Sequence, residues 1–463
     1  MKILLVVYDN DSHVSVFPLG TAYIAASCRN AGHEVKIYNQ DVYHWPESHL
    51  SDLLDREHFD AVGVGIIGGY YQYRKLLNIS EAINRSKKKP FYILGGHGPS
   101  PEPEFFLRKT HADAVVIGEG EETIVELLDD AVGNKKDLSL VEGIAFMDNG
   151  KCIQTPRRAP ITEIDKIAFP AYDLFPMDHY TLLRDPNMSN SDRYMAAITG
   201  RGCTFKCNFC YRMDPGFRPR SVAGILEEIR ILQADYGITY IEFVDELLMS
   251  SINRTVELCE SFIKANIRLK WYCNGRLNYA KADVLRLMKE AGCVFINYGI
   301  ESLDEKALHA MNKSLTVKQI VTGIDNTLKA GISPGFNIIF GNIGETAESL
   351  KRGVEFLLKY DDHAQLRTIR PVTPYPGSPL YYYAIEQSLL KDCQDFYENK
   401  HVNSDLLSVN FTDLKDEEFH KLLYGANKIL IENYYSRKLK ETLNSAKRLY
   451  LEHDVSFRGF RQT

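Results

Sequence analysis

The sequence predicts an α/β chain with two successive parallel-sheet units, and three observations carry that prediction. Short apolar runs rich in β-branched residues alternate with helix-length segments from residue 1 to about residue 135. The same alternation restarts near residue 194, after a proline-broken stretch. In the first series the strand candidates are short and mainly apolar, as strands covered on both faces by helices should be. The expected architecture is an N-terminal Rossmann-like doubly wound parallel sheet, then a partial (β/α)6 TIM-type barrel, then a helical C-terminal extension.

In the first unit the strand candidates are "KILLVVY", "EVKIYN", "AVGVGII", "FYILGG" and "ADAVVIG". "PLGTAYIAASCRNAGH" reads as the first helix, with Gly32 near its C-cap. "GIAFMDNGKCIQT" reads as a hairpin turning at Asn149-Gly150. The linker "APITEIDKIAFPAYDLFPMDHY" is broken by Pro160, Pro170 and Pro176. The second series offers "YMAAITG", "YIEFVD", "LKWYCNG", "VFINYGIES", "GFNIIFG" and "QLRTIRPV", six units where a full barrel has eight. Beyond residue 400 the chain reads as helical and charged, and "DEEFHKLLYGANKILIENYYSRKLKETL" is strongly amphipathic. The expected divisions are 1–140, a hairpin and linker over 141–190, the barrel over 191–400, and the extension over 401–463.

Composition narrows the function. Hydrophobic residues make up 44% and charged residues 25%, an ordinary globular balance. A formal net charge of -6 argues against a broad nucleic-acid face. No run approaches the length of a membrane span. "MKILLVVYDNDSH" is too short and too quickly acidic for a secretory signal. Of nine cysteines, Cys28, Cys152, Cys259, Cys273, Cys293 and Cys393 are scattered without the spacing of a disulfide framework. A reducing cytoplasm is the expected compartment.

The other three cysteines crowd one loop, "RGCTFKCNFCYR", as Cys203, Cys207 and Cys210. The loop follows the first strand of the second series, and the C-terminal ends of barrel strands are where active sites form. A structural zinc site wants four ligands, commonly in two pairs, and the sequence has no second CxxC. A [4Fe–4S] cluster fits three thiolates from one loop better, with one iron left without a protein ligand. Zinc stays as the alternative at this point.

This CX3CX2C segment after a first barrel strand resembles the radical S-adenosylmethionine (SAM) superfamily over roughly residues 190 to 400. The resemblance implies a [4Fe–4S] cluster on Cys203, Cys207 and Cys210. It implies SAM bound to the open iron, and hydrogen abstraction from an unactivated carbon. It carries further residues over by position as SAM contacts: Phe209 before the last cysteine, and Asp245 and Glu246 ending "YIEFVDELL". Of those two carboxylates, neighbours on a strand end, one is expected to face the site. Arg276 in "CNGRLN", Glu301 and Ser302 in "YGIES", Asn337 in "GFNIIFGNIGET", and Thr373 and Tyr375 in "PVTPYPGSPLY" complete the set.

Residues 1 to 135 resemble the cobalamin-binding domain that precedes many radical SAM barrels, through "FPLGTAYIAASCRNAGHEV", "YILGGHGPSPEPEFFL" and "ADAVVIGEGEETIVELL". The histidine-ligating pattern DxHxxG is not kept, because Val16 stands where glycine should follow His13. The resemblance instead points to the loop after the third strand, with Gly68, Gly69, Tyr70 and Tyr71 beneath a corrin. Gly95, Gly96, His97 and Gly118 would lie along the nucleotide tail. The alternative is that both tyrosines pack a domain interface and the domain serves as scaffold and lid.

The expected activity is a cobalamin-dependent C-methyltransferase acting on a small molecule. The alternative is a cobalamin-independent lyase or isomerase, such as a radical diol dehydratase of a sugar or aminosugar. Reduced flavodoxin or ferredoxin is the expected electron donor, with no nucleic-acid or membrane partner. Arg212, Arg218 and Arg220 in "RMDPGFRPRS" suggest an anionic or polar substrate, or serve carboxylate partners within the protein.

Overall fold

The computed structural model describes residues 1–13, 15–133, 137–185, 187–456 and 460. The first sheet contains β1 (Lys2–Val7), β2 (Glu34–Asn39), β3 (Ala61–Gly65), β4 (Phe91–Gly95), β5 (Ala114–Val116), β6 (Ile144–Asp148) and β7 (Lys151–Gln154). Its strand order is β2-β1-β3-β4-β5-β6-β7. The first five strands are parallel, and the order reverses between β1 and β3. Ligand crevices of doubly wound sheets form at such a switch point, outside the carboxyl ends of the strands. The Asn149-Gly150 hairpin extends this sheet antiparallel to β5, instead of belonging to the linker. Both turn residues have positive φ, which suits the twist of a two-residue hairpin loop.

The second unit holds β8 (Tyr194–Ala197), β9 (Gly200–Arg201), β10 (Arg218–Pro219), β11 (Tyr240–Phe243), β12 (Lys270–Gly275), β13 (Cys293–Glu301), β14 (Ser333–Phe340) and β15 (Arg370–Pro371). Six of these form a parallel sheet in the order β15-β14-β13-β12-β11-β8, the curled wall of a partial barrel. Its outward residues, including Ile241, Phe243, Trp271, Ile296, Tyr298, Phe336 and Ile338, are buried against the covering helices. The last strand is shorter than "QLRTIRPV" suggested. Arg367 turns to Asp361, Asp362 and the Pro334 carbonyl, so ladder pairing begins only at Arg370.

The two units share a core. Phe17 of the first unit packs against Tyr172, Phe175 and Tyr180 of the linker, within the same cluster as the barrel's outward face. After the barrel the chain returns to the N-terminal unit. Tyr381, Phe396 and Tyr397 pack with Leu76, Ile79 and Phe106, and Tyr397 stacks on Tyr73 at 4.8 Å. The final helix, Asp416–Leu451, buries Phe419, Leu423, Ala426 and Leu430 on one face, with Phe419 stacked on Phe340. The extension is therefore helical over Asp416–Leu451, and amphipathic in the sense expected over the first turns of that helix. Farther along, Tyr435, Leu439 and Leu443 are exposed. No helix among the described residues is long and apolar enough to cross a membrane.

Candidate functional site

The cysteine loop is closed into a ring by the antiparallel pairing of β9 with β10, and by a bridge between Cys203 and Pro215. Gly202 has φ +87, and a Cβ there would overlap the Gly216 carbonyl oxygen, so only glycine closes the ring. Asn208 docks the loop on the barrel. Its N–H donates to the Met311 carbonyl at 2.9 Å, its carbonyl accepts from Leu380 N–H at 2.8 Å, and its side chain pairs with Asn342. Cys207 is buried, Cys203 half-buried and Cys210 exposed, and none is in a disulfide.

The chemistry of the donor set suits a thiolate-held cluster. The Cys210 thiol donates to Cys207, and Lys313 and Arg276 add positive potential, pulling Cys207 down to about 6 against the cost of burial. Among the described residues no three His, Cys, Asp or Glu side chains converge closely enough for a single metal ion.

Around the loop stand the residues carried over by position. Glu301 has φ +66 and pairs with Lys313 at 2.8 Å, and the Lys313 ammonium lies over the Phe209 ring at 5.7 Å. Arg276 stacks on Phe205 at 3.4 Å and donates to the carbonyls of Lys313 and Ser314. That geometry leaves Arg276 bracing the loop instead of facing a carboxylate. Glu246 is exposed, and its Oε2 accepts the Gly202 N–H at 2.6 Å. Asp245 is turned inward. It accepts the Thr199 N–H and hydroxyl, and burial pushes its carboxyl up to about 7. Ser302 is buried, and its hydroxyl joins the N–H groups of Gly341 and Asn342 in donating to Glu345, which burial pushes up to about 8. Thr373 is half-buried and accepts the Tyr375 N–H. The Tyr375 ring is taken up by Phe396 and His401. Asn337 sits on the inward face of β14.

The carboxyl edge of the first sheet faces this loop. His97, after β4, meets Tyr211 edge-on at 6.1 Å, one residue beyond Cys210. Gly96 has φ +98, and a Cβ there would overlap the Ile66 carbonyl oxygen, so the loops after β3 and β4 meet backbone to backbone. Gly68 (φ +112) lies against Gly98 and the Tyr397 hydroxyl, Gly69 precedes the helix Tyr70–Arg85, and Gly95 pairs with Gly65. Neither tyrosine offers the flat face expected of it. Tyr70 meets His401 edge-on and carries Arg74 over its ring, and the Tyr71 hydroxyl reaches Asp9 and Asp11. Ile67 projects from the glycine-rich cradle instead, 71% exposed. An exposed apolar side chain on glycine backbone fits a flat apolar ring. Gly118 (φ +88) donates to the Ser100 hydroxyl and lies 4.0 Å from Arg157, measured from an ideal Cβ. His13 is exposed beside His44.

The arginines of the cysteine loop have partners. Arg201 pairs with Glu119 and Glu121, and Arg218 with Glu119. "GEGEET", residues 118 to 123, thus carries an ionic clasp between the two units. Arg220 pairs with the buried Glu228. Lys313 and Ile67 were not read from the sequence. Neither belongs to a spacing pattern, and only the folded chain brings them to the site.

Comparison with known proteins agrees with this geometry. Residues 197–357 match the model of the radical SAM superfamily, and residues 2–128 match that of the B12 binding domain. An uncharacterized methyltransferase of Pyrococcus horikoshii is 32% identical over 402 residues, covering 84% of each chain. An anaerobic magnesium-protoporphyrin IX monomethyl ester cyclase of Rubrivivax gelatinosus is 25% identical over 460 residues, covering 91% of this chain and 80% of the relative. The fold superposes with a TM-score of 0.73 on TsrM of Kitasatospora setae, a radical SAM methyltransferase solved with cobalamin and a [4Fe-4S] cluster. That match is 17% identical and covers 93% of this chain and 88% of the other. The chain belongs to the radical SAM superfamily as a member with an N-terminal B12-binding domain, an enzyme whose cofactors are a [4Fe–4S] cluster, SAM and cobalamin.

Proposed function

We propose that the enzyme is a methyltransferase that methylates carbon on a small molecule held between its two units. The observation that carries this reading is the His97–Tyr211 contact, which sets the carboxyl edge of the B12-binding domain against the cysteine loop. Both relatives and fold neighbours include methyltransferases, which favours this reaction over the lyase or isomerase alternative. When bound, the cofactors supply hydrogen abstraction from carbon and delivery of a methyl group.

In this reading Cys203, Cys207 and Cys210 hold the cluster. Lys313 and Arg276 offset the negative charge of the thiolates. Glu246 and Glu301 line the mouth of the barrel, where a SAM ammonium and ribose would find acceptors. Ile67 and the glycine backbone around Gly68 and Gly96 form the apolar floor for the corrin. The Arg201–Glu119–Arg218 clasp keeps the two floors in register and closes one flank to water. A reduced flavodoxin or ferredoxin would supply the electron.

The experiment is anaerobic reconstitution with iron, sulfide and hydroxocobalamin. Iron, sulfide and retained cobalt are quantified, and SAM and dithionite are then added. About four irons, one cobalt and release of 5'-deoxyadenosine are expected. Zinc in place of iron, or a protein that takes up no cobalt, would contradict the reading.

A further inference from the structure

Three asparagines on the inward faces of the barrel strands form one directed chain. The backbone carbonyl of Asp245 can only accept, so the Asn274 amide turns its Nδ2 toward it, at 2.8 Å. Asn274 Oδ1 then accepts from Asn297 Nδ2 at 3.1 Å, and Asn297 Oδ1 accepts from Asn337 Nδ2 at 2.9 Å. A single fixed acceptor sets the polarity of the whole chain. It ends on Asn337 Oδ1, which has no partner among the described residues, and Asn337 is the one exposed residue of its strand.

Asparagine is a poor strand former, and three in adjacent strands are not explained by propensity. The outward neighbours Ile296, Tyr298, Phe336 and Ile338 already pack the helices. The neighbouring sequence also clears room for the amides. Gly335 lies opposite Asn297 in register, and a Cβ there would overlap the Asn297 side-chain oxygen and press on its Cα at 2.9 Å. The missing side chain lets Asn297 reach across β14 to Asn337.

The charged groups in the layers on either side already make contacts within the protein. In the two inward rows below, Glu242 accepts the Tyr194 hydroxyl, Tyr240 donates to Asp185 at 3.2 Å, and burial raises the pKa of the Glu242 carboxyl. Above, Glu301 is held by Lys313, and Arg276 by two carbonyls. What the chain leaves unspent is the Asn337 carbonyl oxygen and the second N–H of each amide.

We propose that the Asn274–Asn297–Asn337 chain recognises the substrate, and that it selects an uncharged group that both donates and accepts hydrogen bonds, an amide or a hydroxyl. The chain itself offers only neutral donors and acceptors side by side, which an amide or a hydroxyl matches, whereas a carboxylate, phosphate or ammonium would leave its charge uncompensated by the chain. The proposal rests on the methyltransferase reading and adds the substrate's chemical class. The ribose hydroxyls of SAM share this chemistry, so the test separates the two sources.

The probes are nicotinamide, N,N-dimethylnicotinamide, which cannot donate, and benzoate. Their binding to the reconstituted holoprotein is followed by saturation-transfer NMR, and SAM binding by equilibrium dialysis. Nicotinamide is expected to bind, with the other two at least tenfold weaker, about the worth of one lost hydrogen bond. Asn337→Leu and Gly335→Ala are each expected to weaken nicotinamide roughly tenfold. Equal binding of benzoate, no binding of nicotinamide, or nicotinamide binding unmoved by both variants would overturn the proposal. Asn337→Leu that weakens SAM while sparing nicotinamide would give the chain to the cosubstrate and overturn it as well. Wild-type selectivity among the probes guards against a variant that fails to fold. A holoprotein that binds no SAM would instead mark the failure of the parent reading.

Discussion

The Lys313 ammonium lies 2.8 Å from the Glu301 carboxylate, and both side chains are only 8% exposed. Two buried charges in contact hold each other in place, because removing one strands the other in a medium that solvates it poorly. Lys313→Met is therefore expected to destabilise the protein by about 3–5 kcal/mol. It should also lower the iron retained after reconstitution, since Lys313 adds positive potential at Cys207. Thermal unfolding and iron analysis check both. A variant of wild-type stability with full iron content would show that Glu301 and Cys207 do not depend on it.

The Glu119 carboxylate takes two arginines from the cysteine ring, Arg201 and Arg218, and side-chain exposures of 10–17% shield the group from salt. Glu119→Gln keeps the shape and removes the charge. It is expected to cost about 2–4 kcal/mol, and to open the cleft enough to speed proteolysis in the linker between the units. A double-mutant cycle with Arg218→Met should show a coupling of at least about 1 kcal/mol. Additive effects would mean that the clasp is a surface pair of little consequence.

The sequence made the strands legible because apolar runs of strand length, punctuated by glycine and proline, have few other uses. The cysteine ring was legible because its three ligands are local. What could not be read was pairing at long range. Glu119 and Arg218 are 99 residues apart, and nothing in "GEGEET" or "RMDPGFRPRS" marks one as the other's partner. Tyr70 and Tyr71 show the same limit, because a tyrosine in a loop advertises a flat face but not which way it turns. The asparagines were visible as letters in three strand candidates. Only the register of β12, β13 and β14 sets Asn274 opposite Asn297, and Asn337 one inward position beyond Gly335, within reach of Asn297.

His401 is 0% exposed, stacked on Phe396 at 5.0 Å, and neither ring nitrogen has a hydrogen-bond partner among the described residues. Burial drives its pKa from 6.5 down to about 4. The unfolded chain thus takes up a proton that the folded one refuses. Stability is fully present above about pH 6.5 and falls as the pH drops toward 4, by up to roughly 3 kcal/mol from this group. His401→Phe removes the titration and fills the same cage. It should flatten the stability profile between pH 6.5 and 4 and raise stability at pH 5, read by urea unfolding at several pH values. A variant with the wild-type slope would place the acid sensitivity elsewhere.

Ile67 stands 71% exposed on the cradle formed by the loops after β3 and β4, where an apolar side chain gains nothing from water. If the corrin rests there, covering Ile67 contributes about 1.5–3 kcal/mol to cofactor binding, and most of that is lost in Ile67→Ala. Cobalamin affinity should fall roughly ten- to hundredfold, by absorbance titration of the cluster-loaded protein. Ile67→Glu should fall further, since a carboxylate must then be desolvated against an apolar ring. The thiols lie on the other side of the cleft, so iron content reports independently on folding. Cobalamin affinity unmoved by both substitutions would move the corrin off this cradle, and with it the argument that the glycines around Gly68 and Gly96 are there for a flat ring.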